Sequence, residues 1–399
     1  MAINIKNLEE RIQKKVHLVD SNTSVDDLTD MVEAALLLTG SLKTYADSSE
    51  LPTATGSNEK IGFIQDIKAI KFNNGKEWVG MASGEVSAPV PPTGPSFIFG
   101  GTNYGFIAGR RGSPGNSMER YLEKHSFASD TNATDHTGGY AVFTPTKGTR
   151  SAAGVSSDTH GYTMGGYHPP NAHNTIWKFP MASTMTGAAT DVGDMTSARQ
   201  RQTGANSETH GYAMGGWAPP ASNIIERLPF ATDENATDVG DLLATKHMGG
   251  GVSSPTDGYH LSGASPGYDN VIEKFPFASA TTNTTDVGDV TVARALAGIS
   301  SPTHGYGAGG TSAGDPTEDT IDKFPFASGG NATDVGNLAV GVWRSGGGQS
   351  TTNGYYYGGY NGSSYVDHIQ KWPFASDTNA SDVANLTQAG DEATANMQY

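Results

Sequence analysis

Residues 321–337 read IDKFPFASGGNATDVGN, and residues 272–289 read IEKFPFASATTNTTDVGD. A phrase rewritten this closely belongs to a repeat. Upstream of each copy stands a Gly-aromatic pair, and six such pairs run through the chain: Gly105-Phe106, Gly161-Tyr162, Gly211-Tyr212, Gly258-Tyr259, Gly305-Tyr306 and Gly354-Tyr355. Their spacings are 56, 50, 47, 47 and 49 residues. Self-similarity at a period near 50 marks a propeller or a solenoid. No terminal copy has a clear polar cap, which favours a closed ring over a stack.

Four blocks recur within each copy, and each has strand character. A small-residue stretch led by a basic residue, such as RSAAGVSS (150–157) or RALAGISS (294–301), suits a crowded innermost strand. The Gly-aromatic block follows and ends in a glycine doublet, as in GYTMGG and GYYYGG, where the backbone turns or meets its neighbour closely. The Lys-Phe-Pro-Phe block suits a third, outer strand that its proline ends. TDVGD makes a short edge strand. A strand led by Arg, then aromatic-x-x-Gly-Gly, then a third and a short fourth strand, resembles the kelch repeat of β-propellers. The resemblance covers 96–399, with Phe-Pro-Phe in place of the usual downstream tryptophan. It implies a mainly β fold, a six-bladed kelch-like β-propeller. Two segments compete to be the innermost strand of the first copy: 96–102 (SFIFGGT) and the C-terminal 391–399 (DEATANMQY). The first is more apolar and leads directly into its partner, so it is the expected one.

Before the repeats stand three other segments. Residues 1–45 predict short helices, with apolar faces at Ile5, Leu8, Ile12, Val16 and Val19, then at Leu28, Met31 and Val32 after a capping box at Ser24–Asp27. Such narrow seams on short terminal helices need partners, which points to self-association or docking on a larger assembly. Residues 46–87 predict a small β module, with IGFIQD, IKAIKF and KEWVGM as strands and Asn74-Gly75 as a hairpin turn. The Pro-rich 88–95 predicts a semi-rigid linker.

Composition excludes several chemistries. The 399 residues include no cysteine, so there is no disulfide framework, thiol nucleophile or thiolate metal site. A formal charge of −16 disfavours sequence-independent binding to nucleic acid. No apolar run approaches the ~18 residues of a membrane span, so no membrane insertion is expected. The first residues, MAINIKNLEER, lack the pattern of a secretory signal. No nucleophile elbow, phosphate loop or zinc motif is present, so no catalytic residue, cofactor or metal is expected and the protein is read as a non-enzyme. Copper-oxidase chemistry on a kelch propeller would need a cysteine beside a tyrosine.

The repeated polar residues read as construction. Asn132, Asn235, Asn283, Asn331 and Asn379 fit the glycosylation pattern but hold equivalent positions, where Asn and Thr side chains form the turn into the fourth strand. The neighbouring Asp residues lack the calcium-loop spacing. His160, His210 and His304 share their slot with Asp257, Asn353 and Tyr104, so it is a turn position. Arg150, Lys246, Arg294 and Arg344, with Arg201 or Arg199 in the remaining copy, start innermost strands and predict a basic ring at one channel mouth. That ring would pair with acidic turns of adjacent blades or, alternatively, bind an anion. Tyr167, His168, Trp217, Tyr268, Tyr356, Tyr357, Tyr360 and Tyr365 vary between copies, and are the binding candidates. Such rings stack on sugars and fill interfaces, or else cap the core between blades.

The phrase KFPFAS…NATDVGDLT resembles repeats in virion structural proteins of marine tailed phages, especially cyanophages. LPTATGSNEKIGFIQDIKAIKFNNGKEWVGM resembles a small β module of phage fibre proteins. The resemblance implies a virion appendage protein of tail-fibre or receptor-binding type, made in the host cytoplasm and located on the particle. Its N-terminal region would attach to other virion proteins as a homo-oligomer, with a trimer expected. Its propeller would bind host cell-surface glycan or protein. The alternative is a non-enzymatic decoration protein of capsid, neck or tail that contacts other virion proteins.

Overall fold

The computed structural model describes Thr44–Tyr45, Ile61–Ile64, Ala69–Asn73 and Trp78–Gly80, and then 101–398 apart from 113–117, 137–148, 182–187, 265 and 280–282. The chain divides into two units, Met1–Ser96 and Phe97–Tyr399. In the first, Thr44–Tyr45 pairs in parallel with Ile61–Ile64, which continues antiparallel to Ala69–Asn73 and Trp78–Gly80. The expected helices, with Ile5, Leu8, Ile12, Val16, Val19, Leu28, Met31 and Val32, lie outside the described residues. So do the Asn74-Gly75 turn and the linker 88–95.

The second unit is a six-bladed β-propeller. Blade five shows the plan: Arg294–Ser300, His304–Ser312, Glu318–Pro325 and Thr333–Asn337 pair antiparallel in chain order, from the centre outward. These strands are the small-residue, Gly-aromatic, Lys-Phe-Pro and TDVG blocks, in the order that their composition predicts. The innermost strands of blades two to six are Ala153–Ser156, Thr203–Asn206, Gly250–Ser253, Arg294–Ser300 and Gly346–Gln349. Each lies against the next around the ring.

Closure differs from expectation. The second strand of blade one, Tyr104–Gly112, takes its inner partner from the C-terminus, first Gly390–Asp391 and then Thr394–Gln398. Gly101 instead donates its N–H to Gln349 O of blade six, at 3.2 Å. The physical reason is crowding at the axis. The third-from-last residue of each innermost strand in blades two to six is glycine: Gly154, Gly204, Gly251, Gly298 and Gly347. A Cβ on Gly251 would overlap the Gly204 carbonyl oxygen. The N-terminal candidate would put Ile98 in this slot, whereas the C-terminal strand passes it with Ala395 and Asn396, where its register against Tyr104–Gly112 shifts. The apolar bulk that favours 96–102 on sequence is what the axis excludes. Gly251→Ala is therefore expected to destabilise the propeller by roughly 1–3 kcal/mol in urea unfolding. Gly267→Ala should be silent, because nothing lies within 4 Å of a Cβ there.

The phrase of residues 321–337 sews blades together. Its second phenylalanine stacks on the Gly-Tyr aromatic of the preceding blade: Phe326 on Tyr259, Phe230 on Tyr162, Phe277 on Tyr212 and Phe374 on Tyr306, with centroids 5.0–5.2 Å apart. Phe127 meets Tyr355 at 4.9 Å, joining blade six to blade one. The Asn side chains, expected to bond their own turn, instead bond the edge of the preceding blade. Asn331 Oδ1 accepts from Asp289 N at 3.1 Å, and Asn235, Asn283, Asn379 and Asn132 do the same across their junctions. Lys323 reaches Asp377 of the next blade at 2.8 Å.

Among the described residues, the junction of blades one and two lacks both the phenylalanine stack and the asparagine bond. Met181 stands for the phenylalanine and Ala188 for the asparagine. Met181 packs there with Phe106, Trp177 and Phe179, and His136 Nε2 lies 3.0 Å from Pro180 O.

Candidate functional site

The first residues of the innermost strands fall into three successive positions with three different fates. The first position points into the blade. There Arg199, Lys246 and Arg294 form buried ion pairs with the third strand, to Glu226, Glu273 and Asp322. Arg294 Nη1 is 2.9 Å from Asp322 Oδ2, and Nε donates to Gly309 O at 3.0 Å. The same carboxylates accept backbone N–H groups from the linker that arrives from the previous blade: Asp322 from Thr291 at 3.2 Å and Glu273 from Leu243 at 2.8 Å. Lys246 and Arg294 are thus structural and leave the expected basic ring, while Arg199 takes the interior role in blade three.

Blade one keeps the pair by moving it. Arg110 comes from the second strand, where most blades carry the second glycine of the doublet, and pairs with Glu123 at 2.7 Å. Gly390 then occupies the first position, and a Cβ there would meet the Arg110 stem. Blades two and six drop both charges together. Thr149 stands opposite Trp177, and Val342 opposite Gln370, whose Oε1 still accepts from Val340 N at 2.9 Å.

The third position forms the rim of the channel mouth. Ser151, Arg201, Met248, Arg344 and Glu392 all have left-handed backbones, with φ between 52° and 63°. Leu296 holds this place in blade five, which is one residue shorter here. The left-handed turn costs roughly 1–2 kcal/mol per residue, and aims each N–H at the previous blade. Ser151 donates to Glu392 O, Arg201 to Ser151 O, Met248 to Arg201 O, Leu296 to Met248 O and Glu392 to Arg344 O, at 2.6–3.3 Å. These bonds close five of the six junctions. Inside the rim is a cavity of about 120 Å³, whose lower wall is Gly154, Gly204, Gly298 and Gly347.

Charge gathers at this mouth. Arg150 Nε is 3.0 Å from Glu392 Oε2, and Arg111 Nε is 2.8 Å from Asp391 Oδ1. Arg344 is looser, with Nη1 3.7 Å from Glu392 and 3.9 Å from Asp391. Burial lowers the Arg344 pKa, Glu392 and Asp391 pull it up, and the Arg201 and Arg111 cations push it down. Burial, and then the Arg201 charge, lower His247 to about 4. Among the described residues, no carboxylate pairs with Arg201. Four guanidinium groups thus face two carboxylates, a local excess of two positive charges on a chain of net −16.

Most of the aromatic candidates surround this mouth, because the end of each second strand lies beside the start of the innermost one. Arg150 pairs with Tyr167, Gln200 with Trp217, His247 with Ala264 and Trp343 with Tyr360. Tyr268 and Tyr365 open the third strands opposite Ala264 and Tyr360, and His168 closes the hairpin of blade two. All six are partly exposed. Arg150 lies 5.0 Å over the Tyr167 ring and Arg111 5.3 Å over Tyr365. Arg344 lies 3.9 Å over Trp343. Trp217 meets His247 edge-on at 5.1 Å.

Tyr356 and Tyr357 are corrections. Both are 1% exposed, because a middle strand of a blade is covered on both faces. Tyr356 donates to Val342 O at 3.1 Å, and Tyr357 packs with His125 and Tyr355. Tyr356 borders the mouth cavity from within and not the surface, and Tyr357 presents no ring to a ligand. Sequence reasoning missed Arg111, Trp343, Asp391 and Glu392. Their signal was the competing C-terminal segment, whose DE pair lands where other blades place R-S, Q-R and W-R. His160, His210 and His304 open the second strands at the opposite end of the blades, each with Nδ1 2.8 Å from the preceding threonine hydroxyl.

A scan of protein-family models finds none that matches the chain. A search of curated proteins finds no significant match. The chain from Phe97 onward is a six-bladed β-propeller, with an aromatic- and arginine-rich mouth at one end of its channel.

Proposed function

We propose that this protein is a virion appendage protein of a tailed phage, of tail-fibre or receptor-binding type. Its N-terminal region attaches to other virion proteins as a homo-oligomer, a trimer by expectation, and its propeller binds host-surface carbohydrate or protein at the channel mouth. One observation carries the binding part. Residues that sew the blades together recur from copy to copy, whereas Tyr167, Trp217, Trp343, Tyr360 and Tyr365 differ between copies, cluster at one end and stay partly exposed. Flat rings with an exposed face, set among guanidinium groups, fit sugar stacking and interface hot spots. The phage part rests on the resemblance of the KFPFAS…NATDVGDLT phrase and of the 51–81 segment to virion proteins.

The test is adsorption. Fluorescently labelled protein should bind host cells and compete with infecting phage. A Trp217→Ala/Tyr360→Ala variant with an unchanged unfolding midpoint should lose both effects. Absence of cell binding, together with firm binding to virions stripped of the protein, would overturn the reading in favour of a decoration protein.

A further inference from the structure

We infer that the channel mouth is a carboxylate-binding cup, which takes an acidic sugar of uronate type at the end of a glycan. The cup stands on its own geometry, and rests on the host-adhesion reading only in making a glycan the carrier of the carboxylate. Its cavity of about 120 Å³ has room for several water molecules at the roughly 30 Å³ each occupies in the liquid. That suits a carboxylate with part of its ring, while the rest of the glycan extends from the open mouth.

Two cations at the rim have spare capacity. Arg201 lines the cavity and has no carboxylate partner among the described residues. Arg344 also lines it. Its buried Nε makes no hydrogen bond, and its ion contacts at 3.7 and 3.9 Å are beyond hydrogen-bond length. A fixed guanidinium fork matches a planar carboxylate in two parallel bonds. Gln202 also lines the cavity, but its Nε2 is spent on Met164 O at 2.8 Å and Arg199 O at 3.2 Å. Two cations with spare capacity ask for a ligand with a carboxylate.

Most of the rim backbone N–H groups are unavailable to a tetrahedral anion. Such anions bind well where several backbone N–H groups converge. Here the rim N–H groups of Ser151, Arg201, Met248, Leu296 and Glu392 are spent on the neighbouring blade. Glu392 further opposes a second negative charge on the ligand.

Calorimetric titration of the full chain with D-glucuronate, D-glucose and inorganic phosphate tests the assignment. Glucuronate should bind, weakening as salt rises, and glucose should not. Arg201→Gln should weaken glucuronate about 10- to 100-fold, the range for loss of a charge-assisted hydrogen bond. Its thermal midpoint should not move. Arg201→Lys, which keeps the charge and loses the fork, should fall between. Failure of glucuronate to bind, binding unaffected by Arg201→Gln, or phosphate binding as tight as glucuronate would each overturn the cup. Cell adsorption undiminished in Arg201→Gln would also overturn it, while leaving host adhesion standing. Glucuronate binding by a protein that adsorbs to no cell would support the cup and sink adhesion instead.

Discussion

Arg294→Met is expected to destabilise the propeller by about 3–5 kcal/mol, the usual cost of removing one member of a buried ion pair. Arg294 and Asp322 side chains are both 0% exposed. Asp322 would keep its charge in the blade interior, with only the Thr291 N–H and hydroxyl facing it. The double variant Arg294→Met/Asp322→Asn should return to within about 1–2 kcal/mol of the parent, since a matched neutral pair removes the desolvation cost together with the attraction. Asparagine retains an oxygen for Thr291 N, as Gln370 does for Val340 in blade six, where Val342 takes the place of the cation. Urea unfolding of the single and double variants measures both steps. A double variant no more stable than the single one would show that attraction between the charges, and not the orphaned carboxylate, sets the cost.

Ending the chain after Gly390 is expected to abolish the monomeric folded propeller. The loss includes the innermost strand Thr394–Gln398 and the Arg150–Glu392 and Arg111–Asp391 pairs. It also removes two rim bonds, from Ser151 N to Glu392 O and from Glu392 N to Arg344 O. Thr394 Oγ1 accepts from Ala152 N at 3.2 Å, so blade two loses a contact as well. Tyr104–Gly112 would be left with a bare strand edge at the axis, which invites pairing between molecules. Gel filtration should show aggregates or swapped multimers, and the cooperative thermal transition should vanish. A shortened chain that elutes as a monomer and melts at the parent midpoint would refute closure by the C-terminus.

Much of the architecture was legible because each strand of a blade has its own composition. Small residues mark the axis, and the Gly-Tyr and Lys-Phe-Pro blocks mark the layers outside it. What stayed hidden depended on single-residue offsets and on partners far away in sequence. Arg199 and Arg201 are two residues apart, yet one is sealed inside the blade and the other stands at the rim, where the left-handed backbone of Arg201 itself re-aims the chain. The asparagines read locally as turn formers, since nothing near them in sequence names the edge of the preceding blade. Tyr356 and Tyr357 passed for binding candidates because strand alternation does not separate inside from outside when both faces are covered. The rim of the mouth was half legible, as Arg150, Arg201 and Arg344 were visible and the opposing Asp391 and Glu392 were hidden in the segment passed over for closure.

The closing strand also sets a timetable. Of the six innermost strands, the one that completes blade one is the last to leave the ribosome, and roughly 290 residues separate Tyr104 from Thr394. At about 5–20 residues per second, synthesis of that stretch takes on the order of 15–60 s. For all of that time blade one exists without its inner strand, while blades two to six are already able to form. Nascent chains on crowded polysomes would be exposed to strand exchange at this one edge. A chaperone that shields the start of the chain should therefore raise the yield of soluble propeller more than one that acts after release.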